Sequence, residues 1–286
     1  MAGQNSTTIK VYLYHLLGAK IMPYENILYD VQNSVATITL NRPDTYNSLS
    51  LGTLDDLKGA IREAGKDKSV RAVLLTGNGK GFSSGADLIE LHSALATVDI
   101  TSALRNGLNT LAQLMRGLEK PIVCAINGVA AGAGASIALM CDYRLASENA
   151  SFVFAAFANI GLVPDGGLTY FLQQLVGVGK ALELALLADA KNRVSSADAL
   201  SLGIVNKVVA HDALMPEAMA LAEKLATMPT KAIGLTKRAI YRAYERPLAD
   251  ALDYEALLQG ATFKTHDFVE GVTAFIEKRP PVFKGE

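Results

Sequence analysis

Residues 122–140 read IVCAINGVAAGAGASIALM. The reading of this stretch decides the fold. It is long enough to cross a bilayer as one helix. It also carries Asn127 and Ser136, glycines at 128, 132 and 134, and more alanine than leucine. Glycine costs a helix interior about 1 kcal/mol each relative to alanine, so the cluster at 128–134 argues against one continuous span. Ile122–Ile126, opened by Pro121, reads as a buried strand. The glycines read as a loop, and the residues after Gly134 as a buried helix. A strand, a tight loop and a helix in that order form the repeating unit of an α/β fold with covered sheets.

The pattern extends both ways from there. Upstream, Leu104, Leu108, Leu111, Met115 and Leu118 recur at helical spacing and predict one long helix that stops before Pro121. Val70–Thr76 reads as a short buried strand ending at glycine. Ser50 is placed to cap a helix whose buried face is Leu51, Leu54, Leu57 and Ile61. Ile27–Val31 and Val35–Leu40 flank Gln32-Asn33-Ser34 as a hairpin. Downstream, strands and helices alternate to about Val209. From about 212 to 278 helix follows helix, broken at Pro229 and Pro247 and carrying surplus apolar residues such as Leu257, Leu258 and Phe263, a surface suited to subunit contact. The expected division is an extension over 1–22, in which IKVYLYHLLGAKIM could form a short amphipathic helix, an α/β core over 23–211 and a helical region over 212–286.

Composition narrows the function. The chain has 286 residues, half of them hydrophobic, and a formal net charge of -1. That balance gives no global field to draw nucleic acid or an acidic membrane. Cys124 and Cys141 lie in apolar runs and read as free buried thiols of a reducing compartment. The N-terminus MAGQNSTTIK lacks the order of a secretory signal. The expectation is a soluble cytoplasmic protein. His15, His92, His211 and His266 are scattered, so no metal site is expected. No G-x-S-x-G elbow is present. Lys231, Lys237, Arg238, Arg242 and Arg246 form a basic face on one C-terminal helix, read first as solvated, with a phosphate or RNA contact as the alternative.

Three glycine-containing stretches could carry chemistry. KGFSSGADL (80–88) and NGVAAGAGAS (127–136) each sit between a strand and a helix, where small residues admit a ligand to backbone N–H donors. A dinucleotide fingerprint in the second is opposed by Ile137 at its third glycine position and by the absence of an acid at the ribose position. GLVPDGG (161–167) sets Asp165 among apolar neighbours. That aspartate reads equally as a turn or helix-cap residue and as an acid kept in an apolar place.

Together these stretches resemble the enoyl-CoA hydratase/isomerase (crotonase) superfamily. The matching text is ITLNRPDTYNSL (38–49), VLLTGNGKGFSSGADL (73–88), KPIVCAINGVAAGAGASIALMCDYRLAS (120–147), FANIGLVPDGG (157–167), SADALSLGIVNKVV (196–209) and EGVTAFIEKRPPVFKG (270–285). The resemblance implies a spiral of ββα units with a C-terminal helical region that forms trimers, often stacked as hexamers. It implies an acyl-CoA substrate, no metal or redox cofactor, and an oxyanion hole from the backbone N–H groups of Ala86 and Ala133. Substrate contacts are expected from Ser48, Ala86, Asp87, Leu88, Ile89 and Phe157, with the acyl pocket wall near Leu91–Asp99. The family's hydratases use two glutamates to handle water, and their positions here hold Ser136 and Phe157. Asp165 matches the single acid of the family's enoyl-CoA isomerases, and the PDGG text resembles the phenylacetate-pathway branch. The expected activity is therefore a 3-to-2 double-bond shift on an enoyl-CoA, with Asp165 as acid and base. An atypical hydratase, a ring-epoxide isomerase, a dehalogenase and a weakly catalytic acyl-CoA- or RNA-binding relative are the alternatives.

Overall fold

The computed structural model describes residues 24–94, 96 and 98–286. The extension 1–22, with its expected amphipathic helix, lies outside the described residues, as do Leu95 and Thr97 of the expected pocket wall. Two sheets organise the rest. The larger has six strands in the order β1 (Ile27–Gln32), β2 (Val35–Leu40), β3 (Ala72–Gly77), β5 (Ile122–Ile126), β7 (Tyr143–Ser147) and β10 (Lys207–Val209). β1 and β2 are antiparallel, and every later neighbour is parallel. Their hairpin closes at Asn33 and Ser34, both at positive φ (49° and 63°). Two left-handed residues in a two-residue loop match the twist of the flanking strands, and asparagine tolerates that region well.

The smaller sheet runs β4 (Gly81–Ser83), β6 (Val129–Ala131), β8 (Ser151–Val153) and β9 (Val194–Ser195). It passes through the stretches that read as glycine loops. Its strands are two or three residues long, and two of them, β4 and β6, are built largely of Gly, Ser and Ala, so neither length nor β-branched content announces them.

Helix α1 (Leu51–Lys66) is capped as expected, with Ser50 Oγ accepting from the Thr53 N–H at 3.0 Å. Its buried face is Thr53, Leu57, Ala60, Ile61 and Ala64. Leu51, expected inside, is 48% exposed, because the buried face of the helix runs through Thr53 and Leu57 instead. Short helices α2 (Leu88–Ala94) and α3 (Ile100–Leu104) follow. The long helix predicted through Leu118 is interrupted: a π turn at Arg105–Asn109 joins α3 to α4 (Thr110–Gly117). That turn widens the coil by one residue, and Leu108 within it is buried.

The stretch 122–140 resolves into β5, β6 and α5 (Ala133–Met140), every residue of which is buried. Among the described residues no helix is long and apolar enough to cross a membrane. Beyond β8 come α6 (Leu168–Val176), α7 (Val178–Leu187) and α8 (Ser196–Ser201). The C-terminal helices are α9 (Leu214–Thr227), α10 (Thr230–Ala243), α11 (Leu248–Thr262) and α12 (His266–Glu277).

The large sheet is covered on both faces. Val73 and Leu75 of β3 point to the main core with Leu57, Leu111 and Phe152, while Ala72 and Leu74 point to the other side. There they meet Ala218, Ala222 and Ala226 of α9, one alanine per turn, which lets the helix lie close on the sheet. Cys124 and Cys141 are both buried and free.

The basic face on α10 departs from the solvated reading. Lys237 is buried, ion-paired to Asp142 at 2.8 Å and donating to the Met115 carbonyl at 2.9 Å. Tyr241 donates to the same aspartate. Lys231 and Arg238 both pair with Glu119 at 2.7 Å. Much of the face is thus spent on tying α10 to the core, a role that helical spacing cannot distinguish from solvation.

Candidate functional site

Both sheets end at the candidate site. The turn after β4 brings Gly85 against the turn after β6. A Cβ on Gly85 would lie 2.7 Å from the Ala131 carbonyl and 3.4 Å from the Ala133 nitrogen, and Gly85 sits at φ 93°. Only a residue without a side chain lets the two backbones come this close. Ala86 follows Gly85 and pairs as an isolated bridge with Leu49, whose N–H donates to Gly85 and whose carbonyl accepts from Asp87. That pattern leaves the Ala86 N–H unused by the bridge. Ala133 is the first residue of α5, so its N–H has no intrahelical acceptor. No acceptor for either amide is found among the described residues. Two free N–H groups from facing turns, one on a helix start, form a donor pair suited to a developing oxyanion.

Ser48 and Asp87 are brought together, in a cluster that depends on a residue the sequence reading passed over. Arg42 donates to the Ser48 carbonyl at 2.8 Å and to its hydroxyl at 3.0 Å, and pairs with Asp87 at 2.9 Å. Ser48 in turn donates to Asp87 at 3.1 Å. Partial burial works to raise the Asp87 pKa, but the Glu90 N–H, Arg42 and Ser48 outweigh it and hold the carboxyl below its usual range. Asp87 is therefore fixed as an anion and is a poor candidate for proton transfer. Arg42 stood in the quoted text NRPD; its only sequence signal was an arginine held in a short turn by Pro43. Leu88 and Ile89 open α2 and expose their side chains, Ile89 by 81%.

Asp165 is tied to α5 through Ser136. Gly167, at φ 81°, starts α6 with no side-chain cap, so Asp165 does not cap that helix through its carboxyl. Its backbone carbonyl does form the turn, accepting from the Leu168 N–H at 3.1 Å. The same carbonyl accepts from the Ser136 hydroxyl at 2.9 Å. Oδ1 of the carboxyl is buried and has no hydrogen-bond partner. Burial pushes the Asp165 pKa up to about 6, against a smaller opposing pull from its own N–H. The source of that burial differs from expectation. Leu162 and Val163 are exposed. The adjoining Gly166 is closely covered by the π turn and α5: a Cβ there would meet Leu108 at 2.6 Å and Ser136 at 3.0 Å.

Phe157 is buried, and its ring lies within 3.9 Å of where a Gly132 side chain would begin. It is thus an apolar wall beside the start of α5. Ser136 stands one helical turn after Ala133, fully buried. Neither position supplies a carboxylate. Among the described residues no group of His, Cys, Asp and Glu could hold a metal ion.

The family model described as enoyl-CoA hydratase/isomerase matches residues 30–286. The chain is 39% identical over 264 residues to the 1,2-epoxyphenylacetyl-CoA isomerase of Escherichia coli strain K12, covering 92% of this chain and 99% of that protein. It is 36% identical to the short-chain-enoyl-CoA hydratase of Clostridium acetobutylicum, covering 90% and 97%. The solved enoyl-CoA hydratase of Bacillus anthracis superposes with a TM-score of 0.82 at 34% identity, over 92% of this chain and all of that one. The chain belongs to the enoyl-CoA hydratase/isomerase family and has the crotonase fold, with the C-terminal helices present. It is an enzyme of that family; hydratases and isomerases both stand among its relatives.

Proposed function

We propose that this protein is an enoyl-CoA isomerase that moves a double bond between the 3 and 2 positions of an acyl-CoA thioester. The observation that carries the reading is Asp165: one carboxyl with a buried, unpartnered oxygen and a pKa raised to about 6, linked through Ser136 to the helix that offers the Ala133 amide. The Ala86 and Ala133 N–H groups would bind the thioester oxygen. As Asp165 takes a proton from the carbon beside the carbonyl, negative charge moves onto that oxygen, and two preset donors stabilise the dienolate. Loss of one such donor typically costs about 2.7–4 kcal/mol. The protonated Asp165 then returns the proton two carbons further along. A carboxyl with a pKa near working pH serves both steps, since it is a stronger base than an ordinary aspartate and a usable acid once charged with the proton. Phe157 excludes water that would otherwise add to the double bond.

Ser48 and Asp87 shape the approach for the thioester arm, with Leu88 and Ile89 as exposed apolar contacts. No metal or redox cofactor is needed for the proposed proton shuttle. The similarity to an epoxyphenylacetyl-CoA isomerase supports a ring-bearing acyl group as one substrate class, and a trimer or hexamer is the assembly the family resemblance favours.

The test is a product assay on 2-enoyl-CoA and 3-enoyl-CoA thioesters. Wild type is expected to interconvert them, and Asp165→Asn to lose about 10²–10⁴ in kcat while folding normally. Robust hydration of crotonyl-CoA, unaffected by Asp165→Asn, would overturn the reading in favour of a hydratase.

A further inference from the structure

The hydroxyl of Ser136 has two acceptors within reach, the Gly132 carbonyl at 3.3 Å and the Asp165 carbonyl at 2.9 Å. A serine inside a helix ordinarily bonds back to the carbonyl four residues earlier. Here that carbonyl is already served by the Ser136 N–H at 3.0 Å, and the shorter contact runs to Asp165, 29 residues away. The hydroxyl therefore bridges α5 to the turn that carries the acid. It does so one helical turn from Ala133, the residue whose N–H opens the same helix.

Two neighbours make the bridge specific. Gly166, at φ 61°, has no side chain, and a Cβ there would crowd Ser136 Cβ at 3.0 Å. Leu108 of the π turn closes on the same glycine. The turn is thus held by the Ser136 hydroxyl at Asp165 and packed against Leu108 at Gly166. The Asp165 carboxyl Oδ1 is left buried without a hydrogen-bond partner, while the Ser136 hydroxyl is spent on the main chain of the same residue.

We propose that Ser136 is a positioning residue: its hydroxyl fixes the Asp165 carbonyl, and so sets both the distance from the acid to the Ala133 amide and the burial of the unpartnered carboxyl oxygen. This rests on Asp165 being the acid of the proposed isomerase. No neighbouring charge contributes to the Asp165 pKa, which is raised by burial alone, so displacement of the turn should register in its titration.

The experiment compares wild type, Ser136→Ala, Ser136→Cys and Asp165→Asn. It measures kcat and KM on a 3-enoyl-CoA across pH, and follows the Asp165 carboxyl titration by ¹³C NMR. Loss of the hydroxyl leaves no buried carbonyl without a donor, since Leu168 still serves Asp165, so the alanine variant is expected to fold. It should lose about tenfold in kcat with KM within about twofold, as a small misplacement of a reacting group does. Its Asp165 titration should fall from about 6 towards the ordinary carboxylate range. Ser136→Cys, a weaker donor of similar size, should lie between. Wild-type kcat and an unmoved titration in Ser136→Ala overturn the proposal, as does a loss confined to KM. If the alanine variant does not fold, the cysteine variant decides by the same two readouts. An Asp165→Asn enzyme of full activity would instead sink the acid assignment itself, whereas an inactive Asp165→Asn beside a normal Ser136→Ala removes the positioning role alone.

Discussion

Asp165 shows how a single residue can read as two things in sequence and become one in structure. Its main chain makes the turn expected of PDGG, and its side chain is left over for chemistry. The raised pKa has a consequence for stability. The folded protein holds a proton on Asp165 between about pH 4 and about pH 6 that the unfolded chain releases. Unfolding free energy from this group therefore falls as pH rises through that window, and the ionised acid is a burden above it. Asp165→Asn should gain stability relative to wild type by roughly 2–3 kcal/mol more at about pH 8 than at about pH 4, read by urea denaturation at both values. In catalysis the same group gives an acidic limb: kcat/KM of wild type is expected to rise as pH increases through about 6.

At the scale of elements, the site depends on short pieces held by glycine. β4 and β6 are three residues each, and their turns meet at Gly85. Gly85→Ala would place a methyl 2.7 Å from a carbonyl oxygen on a residue at φ 93°, so the turns must part. The expected result is a fall of about 10²-fold in kcat with the far-UV circular dichroism retained, because the large sheet does not depend on this contact. Gly117, whose added Cβ meets nothing within 4 Å, is the control and should tolerate alanine. The π turn belongs to this scale too. The leucine spacing from 104 to 118 predicted a helix correctly, yet it carried no sign that one extra residue would be wound in at Arg105–Asn109 to set Leu108 on Gly166.

Across the whole molecule, α9 and α10 join the C-terminal half to the sheet by different means. α9 uses alanines against the sheet face, and α10 uses charge. Burial lowers the Lys237 pKa, opposed by its pairing with Asp142. Lys237→Ala would take from the mostly buried Asp142 carboxylate its ion-pair partner, leaving beside it Tyr241 and the Arg116 guanidinium stacked on that ring. The expected cost is about 3 kcal/mol, seen as a lower thermal midpoint, whereas Arg246→Ala, in the bend that follows α10, removes a cation–π contact with Tyr254 and should cost no more than about 1 kcal/mol.

The sequence by itself determined the first four strands of the larger sheet, the change to a helical C-terminal region, the hairpin at Asn33-Ser34, the Ser50 cap and the choice of a strand, loop and helix over a membrane span at 122–140. Those features are local: they follow from apolar periodicity, caps and turn residues within a few positions of one another. It also marked Ala86, Ala133, Ser136, Phe157 and Asp165, through motif text that resembles a family. What tertiary structure decided is everything that depends on segments far apart in the chain. The second sheet, with strands too short for periodicity to register, formed because β4, β6 and β8 are laid side by side by the larger sheet. Lys237 was sorted from a solvated face to a buried pair by Asp142, 95 positions away in the numbering. Arg42 acquired its place only when Ser48 and Asp87 closed around it. The desolvation of Asp165 does not follow from Leu162 and Val163, which are exposed, while Leu108 and α5 close over the adjoining Gly166, since desolvation is a property of what packs in space and not of what lies next in sequence.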